Sequence, residues 1–195
     1  LFNVFSFRAY KGMHRDRLVG LADVFIENLK KMGGTIVADE GYSANDTDFN
    51  AQLTAIKAKS PQATFVPGYY TDVGLIARQA KKQGITVPLL GGDGWDSPSL
   101  VEIGGKDLDG SFFSDHYSVD DPSPLAQKFL SAYKARYNAV PDGLAGLGYD
   151  AAMVHFDANK RAGTTDGMKL RDAIAQTKDF AGVTGKITLD ADRNA

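Results

Sequence analysis

Two short stretches of this sequence gather most of its ligand-ready groups. Gly68-Tyr69-Tyr70-Thr71-Asp72 and Gly92-Asp93-Gly94-Trp95-Asp96 each set carboxylates beside aromatic rings and glycine. A carboxylate pairs with an ammonium group, and an aromatic face holds a cation or covers an aliphatic chain. Glycine on both sides of Asp93 lets the backbone come close to a bound molecule. The combination suits a small molecule with a positive end and an apolar part, and an amino acid is one such molecule. A third stretch, Asp115-His116-Tyr117, carries groups of the same kind.

Other chemistries are poorly served. With no cysteine, disulfides, thiol catalysis and Cys-ligated metal centres are excluded. His14, His116 and His155 lack metal-ligand spacing. There is no GxSxG elbow and no GxxxxGK[ST] loop, and Gly91-Gly92-Asp93-Gly94 does not match GxGxxG. The acidic pieces Asp46-Thr47-Asp48 and Asp93 to Asp96 do not continue into a calcium loop closed by glutamate, and read as caps and turns. Neither catalysis nor a cofactor is expected. Lys plus Arg number 22 against 24 Asp plus Glu, a formal charge of −2, which excludes the basic balance of a general nucleic-acid binder. The short run Lys11, His14, Arg15, Asp16 and Arg17 reads as a solvated connector.

The elements that must position these groups alternate. Leu21, Phe25 and Leu29, with Val24, Asn28 and Met32, predict one apolar helical stripe that Gly33-Gly34 ends. Thr35 to Ala38 predicts a strand. Asp48 is a plausible cap for a helix carrying Phe49, Leu53 and Ile56. Strands follow at 63–66, 87–90 and 111–114, separated by a helix through Leu75 to Lys82 and a short one near Ser99 to Ile103, with Asp96 placed as its cap. Helices near 144–161 and 165–177 and a last strand at 185–189 complete the pattern, after a helix carrying Phe129, Tyr133 and Tyr137. Strands separated by helices imply βαβ crossovers and a mostly parallel sheet. With 195 residues, 43% apolar and 24% charged, one α/β domain is the economical reading. In such a sheet ligands bind outside the carboxyl ends of the strands. Parallel strands ~4.8 Å apart would bring the three chemistry-bearing stretches to one edge. Residues 1–19 fit less well, although Val4 to Arg8 alternates like a strand.

With these residues in view, the chain resembles the type I periplasmic binding proteins of the branched-chain amino acid ABC transporter group. The likeness is carried, in order, by Gly20 to Phe25, Asp46-Thr47-Asp48-Phe49, Gly74 to Ala80, Gly91 to Trp95, Tyr149-Asp150-Ala151-Ala152 and Thr184 to Thr188. It spans residues 20 to 195 and matches the second of the family's two lobes. It implies a three-layer α/β/α, flavodoxin-like lobe and a non-catalytic receptor that delivers an amino acid, leucine-like in the family, to a membrane permease. It also implies a periplasmic or extracellular location. Tyr69 matches a ligand-contacting tyrosine and Asp93 the acid that pairs with the ligand ammonium; Tyr70 and Trp95 are added from the edge argument. Where the family has a tyrosine three residues before the glycine of the first helix, this chain has Arg17, and it lacks the usual strand there. Val4 to Phe7 is therefore expected to take that strand's place. The beginning of the chain lacks the order of a signal peptide and has no Met, and reads as a mature or trimmed segment. The competing reading is an isolated or engineered folding module without ligand, whose exposed surface would favour a homodimer. A flavodoxin-like enzyme or a signalling receiver would need a phosphate loop or an acidic pocket with a lysine, and neither is present.

Overall fold

The computed structural model describes residues 3–11, 15–43 and 46–195. His14 lies outside the described residues, as do the side chains of Lys11, Arg15, Asp16 and Arg17, so the connector reading has no structural counterpart. The fold falls into two compact units, Leu1–Ser114 and Asp115–Ala195.

The first unit is built on β1 (Asn3–Lys11), whose stretch Val4–Phe7 is buried on both faces. Val4, Phe5, Ser6 and Phe7 are all 0% exposed. Such a run suits the middle of a parallel sheet, where helices cover both sides. β1 lies between β2 (Thr35–Ser43) and β3 (Ala63–Phe65); β4 (Leu89–Gly91) and β5 (Phe112–Phe113) follow, in the order β2-β1-β3-β4-β5, with every pairing parallel. Val4 to Phe7 thus occupies a central strand position. β2 continues well past the Thr35 to Ala38 segment, because Phe5 to Lys11 of β1 pairs with it as far as Ser43.

Helices clothe both faces. Val4 and Phe65 meet Leu29 and Phe25 of α1 (Arg15–Lys31), with the Phe25 and Phe65 rings stacked 3.9 Å apart. On the other face Phe5 and Phe7 pack with Leu53 and Ile56 of α2 (Asn50–Ala58) and with Val73, Ile76 and Ala80 of α3 (Tyr70–Lys82). The buried stripe of α1 runs through Leu18, Ala22 and Leu29, with Phe25 half-buried, while Leu21, Val24 and Met32 are exposed. The stripe is therefore rotated from the one that spacing from Leu21 predicts, because the helix starts at Arg15 and Leu18 anchors its first turns. α2 begins at Asn50; Asp48 sits before it and accepts from the Asn50 amide at 2.9 Å. Ser97, not Asp96, caps α4 (Pro98–Gly104), its hydroxyl accepting from the Ser99 amide at 3.3 Å. Ser97 stands directly before Pro98, and Pro in the first helical turn leaves the preceding residue as the cap.

The second unit carries α5 (Pro124–Tyr137), α6 (Gly143–Ala162), α7 (Gly167–Ala175) and a hairpin of β6 (Phe180–Gly182) with β7 (Gly185–Ile187). β7 pairs antiparallel with β6 and does not extend the five-stranded sheet. Asp150 of α6, 2% exposed, ties this hairpin down. Its carboxylate accepts from the Val183 amide (2.8 Å), the Thr184 amide (2.8 Å) and the Thr184 hydroxyl (2.7 Å). Gly182 is needed there, since a Cβ would lie 2.5 Å from the Asp150 carboxylate. Tyr117 packs edge-on against Phe129, with Val183 in the same small core.

Replacing Asp150 by alanine strands two amide donors and a hydroxyl in buried surroundings. Urea unfolding of Asp150→Ala is expected to show a loss of about 3 kcal/mol, with the hairpin amides losing hydrogen-exchange protection.

Candidate functional site

The candidate site is the carboxyl rim of the first unit's sheet. β3 runs into Val66-Pro67-Gly68 and then Tyr69, which adopts extended backbone (φ −95°, ψ 158°) immediately before α3. β4 runs into Gly92, and Asp93-Gly94-Trp95 makes one 3-10 turn. Because β3 and β4 are adjacent and parallel, both loops leave from the same edge. Tyr69 and Asp93 line one small crevice there, of about 10 Å³, room for a single water molecule. Its other lining residues are Pro67, Gly68, Gly92 and Gly94 of the same two loops and Leu18 and Leu21 of α1.

Two features hold the loops together. The Trp95 indole N–H donates to the Val66 carbonyl at 3.0 Å, across the gap between the two strand ends. Gly94 packs so closely that a Cβ there would lie 2.8 Å from the Gly68 carbonyl and 3.2 Å from the Tyr69 ring. At Gly92, by contrast, a Cβ would meet nothing within 4 Å.

The four residues singled out from sequence thus separate. Tyr69 and Asp93 share the hollow, both half-buried. Tyr70 opens α3, half-buried against the main core, and does not line the hollow. Trp95 is 1% exposed, its ring under Gly91 and 6.0 Å from that of Phe113. Its burial leaves it no face for a ligand, so it supports the loop from beneath: the indole is the largest apolar group available to fill the space between β4 and the 3-10 turn. Of the third stretch, Asp115, His116 and Tyr117 all belong to the second unit. Leu18 and Leu21 were not singled out from sequence as site residues. The missed signal was the register of α1, since both leucines stand on its first turns, one turn apart.

Behind the hollow lies a buried acidic corner. Tyr42, near the end of β2, is 2% exposed, with its ring edge-on to Phe7 (5.1 Å) and Phe49 (5.4 Å). Its hydroxyl abuts Gly68, where a Cβ would come within 2.5 Å of it, and finds no hydrogen-bond partner among the described residues. Burial pushes the Tyr42 phenol far above its ordinary range, and the Asp72 and Asp46 carboxylates push the same way. Burial likewise raises Asp72, 9% exposed in the first turn of α3; a hydrogen bond from Thr71 opposes the shift and Asp46 adds to it. No group of three or more His, Cys, Asp or Glu among the described residues could hold a metal ion.

Two predictions test this geometry. Gly94→Ala forces Tyr69 and the Gly68 carbonyl apart, and is expected to cost about 1–3 kcal/mol in urea unfolding. Gly92→Ala is expected to fold as the parent does. Asp72 has its pKa raised in the fold, so the native state takes up its proton before the unfolded chain does. The stability this contributes is full below the ordinary carboxylate range and is lost as pH rises through the raised value. Asp72→Asn should therefore gain stability relative to the parent as pH climbs from about 4 toward neutrality. Parallel denaturation series across that range check the sign.

Comparison with known proteins agrees with this architecture. The family model described as periplasmic binding protein matches residues 19–195. A Leu/Ile/Val-binding protein homolog of Brucella melitensis is 31% identical over 147 residues, covering 75% of this chain and 39% of its own. The crystal structure of a leucine binding protein, LivK, from Thermotoga maritima superposes with a TM-score of 0.89 at 39% identity, over 97% of this chain and 53% of that one. The branched-chain amino acid transporter substrate binding protein LivJ of Streptococcus pneumoniae, solved in complex with isoleucine, gives 0.85 at 38%, over 98% and 53%. The chain thus spans about half the length, or less, of the proteins it matches. A parallel sheet with helices on both faces, an uninterrupted match over nine-tenths of the sequence and these structural likenesses lead to one conclusion: the chain belongs to the periplasmic binding protein family, with the type I fold.

Proposed function

We propose that the rim of the first unit forms one side of an amino-acid receptor site and takes no part in catalysis. The carrying observation is that Tyr69 and Asp93, on loops after adjacent parallel strands, line a single hollow. In this reading the Asp93 carboxylate pairs with the ligand ammonium and the Tyr69 ring covers its aliphatic portion. Tyr70 and Trp95 act by fixing the two loops. The names of the relatives support an aliphatic amino acid: one is a Leu/Ile/Val-binding protein homolog, and another was solved with isoleucine. By the same family relationship, the natural setting is outside the cytoplasmic membrane, and the onward partner is the membrane permease of an ABC transporter. The crevice itself, about 10 Å³, is too small to enclose an amino acid, so a ligand would rest across its mouth and touch Tyr69 and Asp93 from one side only. Binding by this chain is therefore weak compared with that of a site that buries most of its ligand's surface.

Isothermal titration at high ligand concentration with leucine, isoleucine and valine tests the reading. Weak but saturable binding is expected, and Asp93→Asn should reduce it roughly tenfold, the worth of a charge-assisted hydrogen bond. Equal affinity in the parent and in Asp93→Asn would remove Asp93 from the site.

A further inference from the structure

The second unit holds a concavity of quite another size from the rim crevice. It measures about 550 Å³, within the range of roughly 300–1,000 Å³ typical of small-molecule sites. All its lining residues belong to the second unit. The walls are aliphatic: Leu147 and Val154 of α6, Ile174 of α7, and Ile187 and Leu189 at and beyond the end of β7. Leu147 and Val154 stand two turns apart on one face of α6, with Asp150 between them. Hydrogen bonds hold these walls in place. Asp150 fastens the turn of the hairpin to α6. Arg161 of α6 donates to the Ala173 carbonyl (2.8 Å) and the Thr177 hydroxyl (3.2 Å), which fixes the end of α7. The Leu189 amide donates to the Thr177 carbonyl (3.0 Å), which ties the segment after β7 to the same point. Walls fastened in this way do not close on one another without breaking those bonds, so their apolar surface stays open to water until something fills the space.

We propose that this concavity is a ligand site separate from the rim, for an aliphatic monocarboxylate whose head group pairs with Lys186 and whose chain lies against the leucine, isoleucine and valine side chains. Charge complementarity selects the head group. The polar residues on the border are His116, Asp150, Thr184 and Lys186. Asp150 is 2% exposed, and its oxygens already take three hydrogen bonds, two of them from Thr184, so that pair is committed to the hairpin. Lys186 is exposed and makes no ion pair with any described residue. His116 brings ring nitrogens and no negative charge. The tail follows from the walls. Apart from His116 no aromatic ring lines the space, so it offers dispersion contact with methyl and methylene groups and little stacking.

Isothermal titration of the whole chain with butanoate, hexanoate and octanoate, each below its micelle concentration, tests the proposal. Octanoate is expected to bind saturably, and each methylene added from butanoate upward to tighten binding roughly threefold to fourfold. Lys186→Gln should weaken octanoate roughly fivefold, the upper end for an exposed ion pair, and leave the binding of octan-1-ol unchanged. Ala151 is exposed on α6 and lines the space. Ala151→Phe fills that space and should abolish binding of both compounds while keeping the circular dichroism of the parent. In an NMR titration with octanoate the shifted amides should gather at Ile174 and Thr184 to Leu189, with Gly68 and Gly94 of the rim unmoved. Absence of saturable octanoate binding overturns the proposal, as does binding that Ala151→Phe leaves intact. Equal octanoate affinity in the parent and in Lys186→Gln overturns the carboxylate assignment. If sedimentation shows a dimer whose dissociation on dilution moves the same amide signals, a second copy of the chain fills the space and the proposal falls.

Discussion

Everything at the rim depends on β1 being covered on both faces. Val4 and Ser6 point one way, Phe5 and Phe7 the other, and none of the four reaches solvent. A parallel strand has no hairpin to hold it in register; it stays in place because its neighbours bond to both edges and helices bury both sides. Among the described residues β2 pairs with β1 alone, and β1 stands between β2 and β3. The position of the Gly68-Tyr69 turn is therefore set, from the strand next to the one that carries it, by apolar packing around two phenylalanines. This is the sense in which a segment of unpromising composition near the beginning of the chain governs the chemistry of loops sixty and ninety residues later.

The site itself is made by close approach. Two loops can present a phenol ring and a carboxylate to one molecule only if their backbones nearly touch. Gly94 allows that against the Gly68 carbonyl, and Gly68 in turn leaves room for the Tyr42 hydroxyl behind it. These glycines have no left-handed backbone to explain them; Gly33 and Gly84, which close α1 and α3, do. The difference separates glycines that end helices from those that let surfaces meet. Tyr42 and Asp72 show the other side of tight packing, polar groups drawn into a low-dielectric corner in which their uncharged forms are favoured.

Much of this was legible in the residue order. Helices stopped by glycine and short β-rich runs between them announce βαβ units, and the binding rule for such sheets leads from strand ends to Tyr69 and Asp93. What was hidden was hidden for physical reasons. The apolar stripe of α1 can be drawn from Leu21 or from Leu18, and only the place where the helix begins decides between them. Trp95 reads as a site residue because tryptophan beside aspartate in a glycine turn suits a cation; its burial depends on the depth of the space under Gly91, which no local pattern encodes. The boundary at Ser114 carries no Pro, Gly or Ser run of the sort that marks linkers, so composition alone does not divide the two units. The antiparallel β6–β7 hairpin is similarly invisible, since a strand of three residues has too few positions to declare its partner.

The hydrogen bond from the Trp95 indole to the Val66 carbonyl has a dynamic implication. It fastens the turn that carries the acid to the end of the strand that carries the phenol, and both ends of that fastening are buried. The spacing of the two groups is then a property of the resting molecule, so little conformational entropy is surrendered when a guest arrives. Encounter with such a rigid surface is governed by diffusion and orientation, whereas the lifetime of the encounter is governed by whatever later shields the guest from water. On the amino-acid reading proposed above, the rim sets orientation at first contact, and the residence time is left to contacts beyond this crevice.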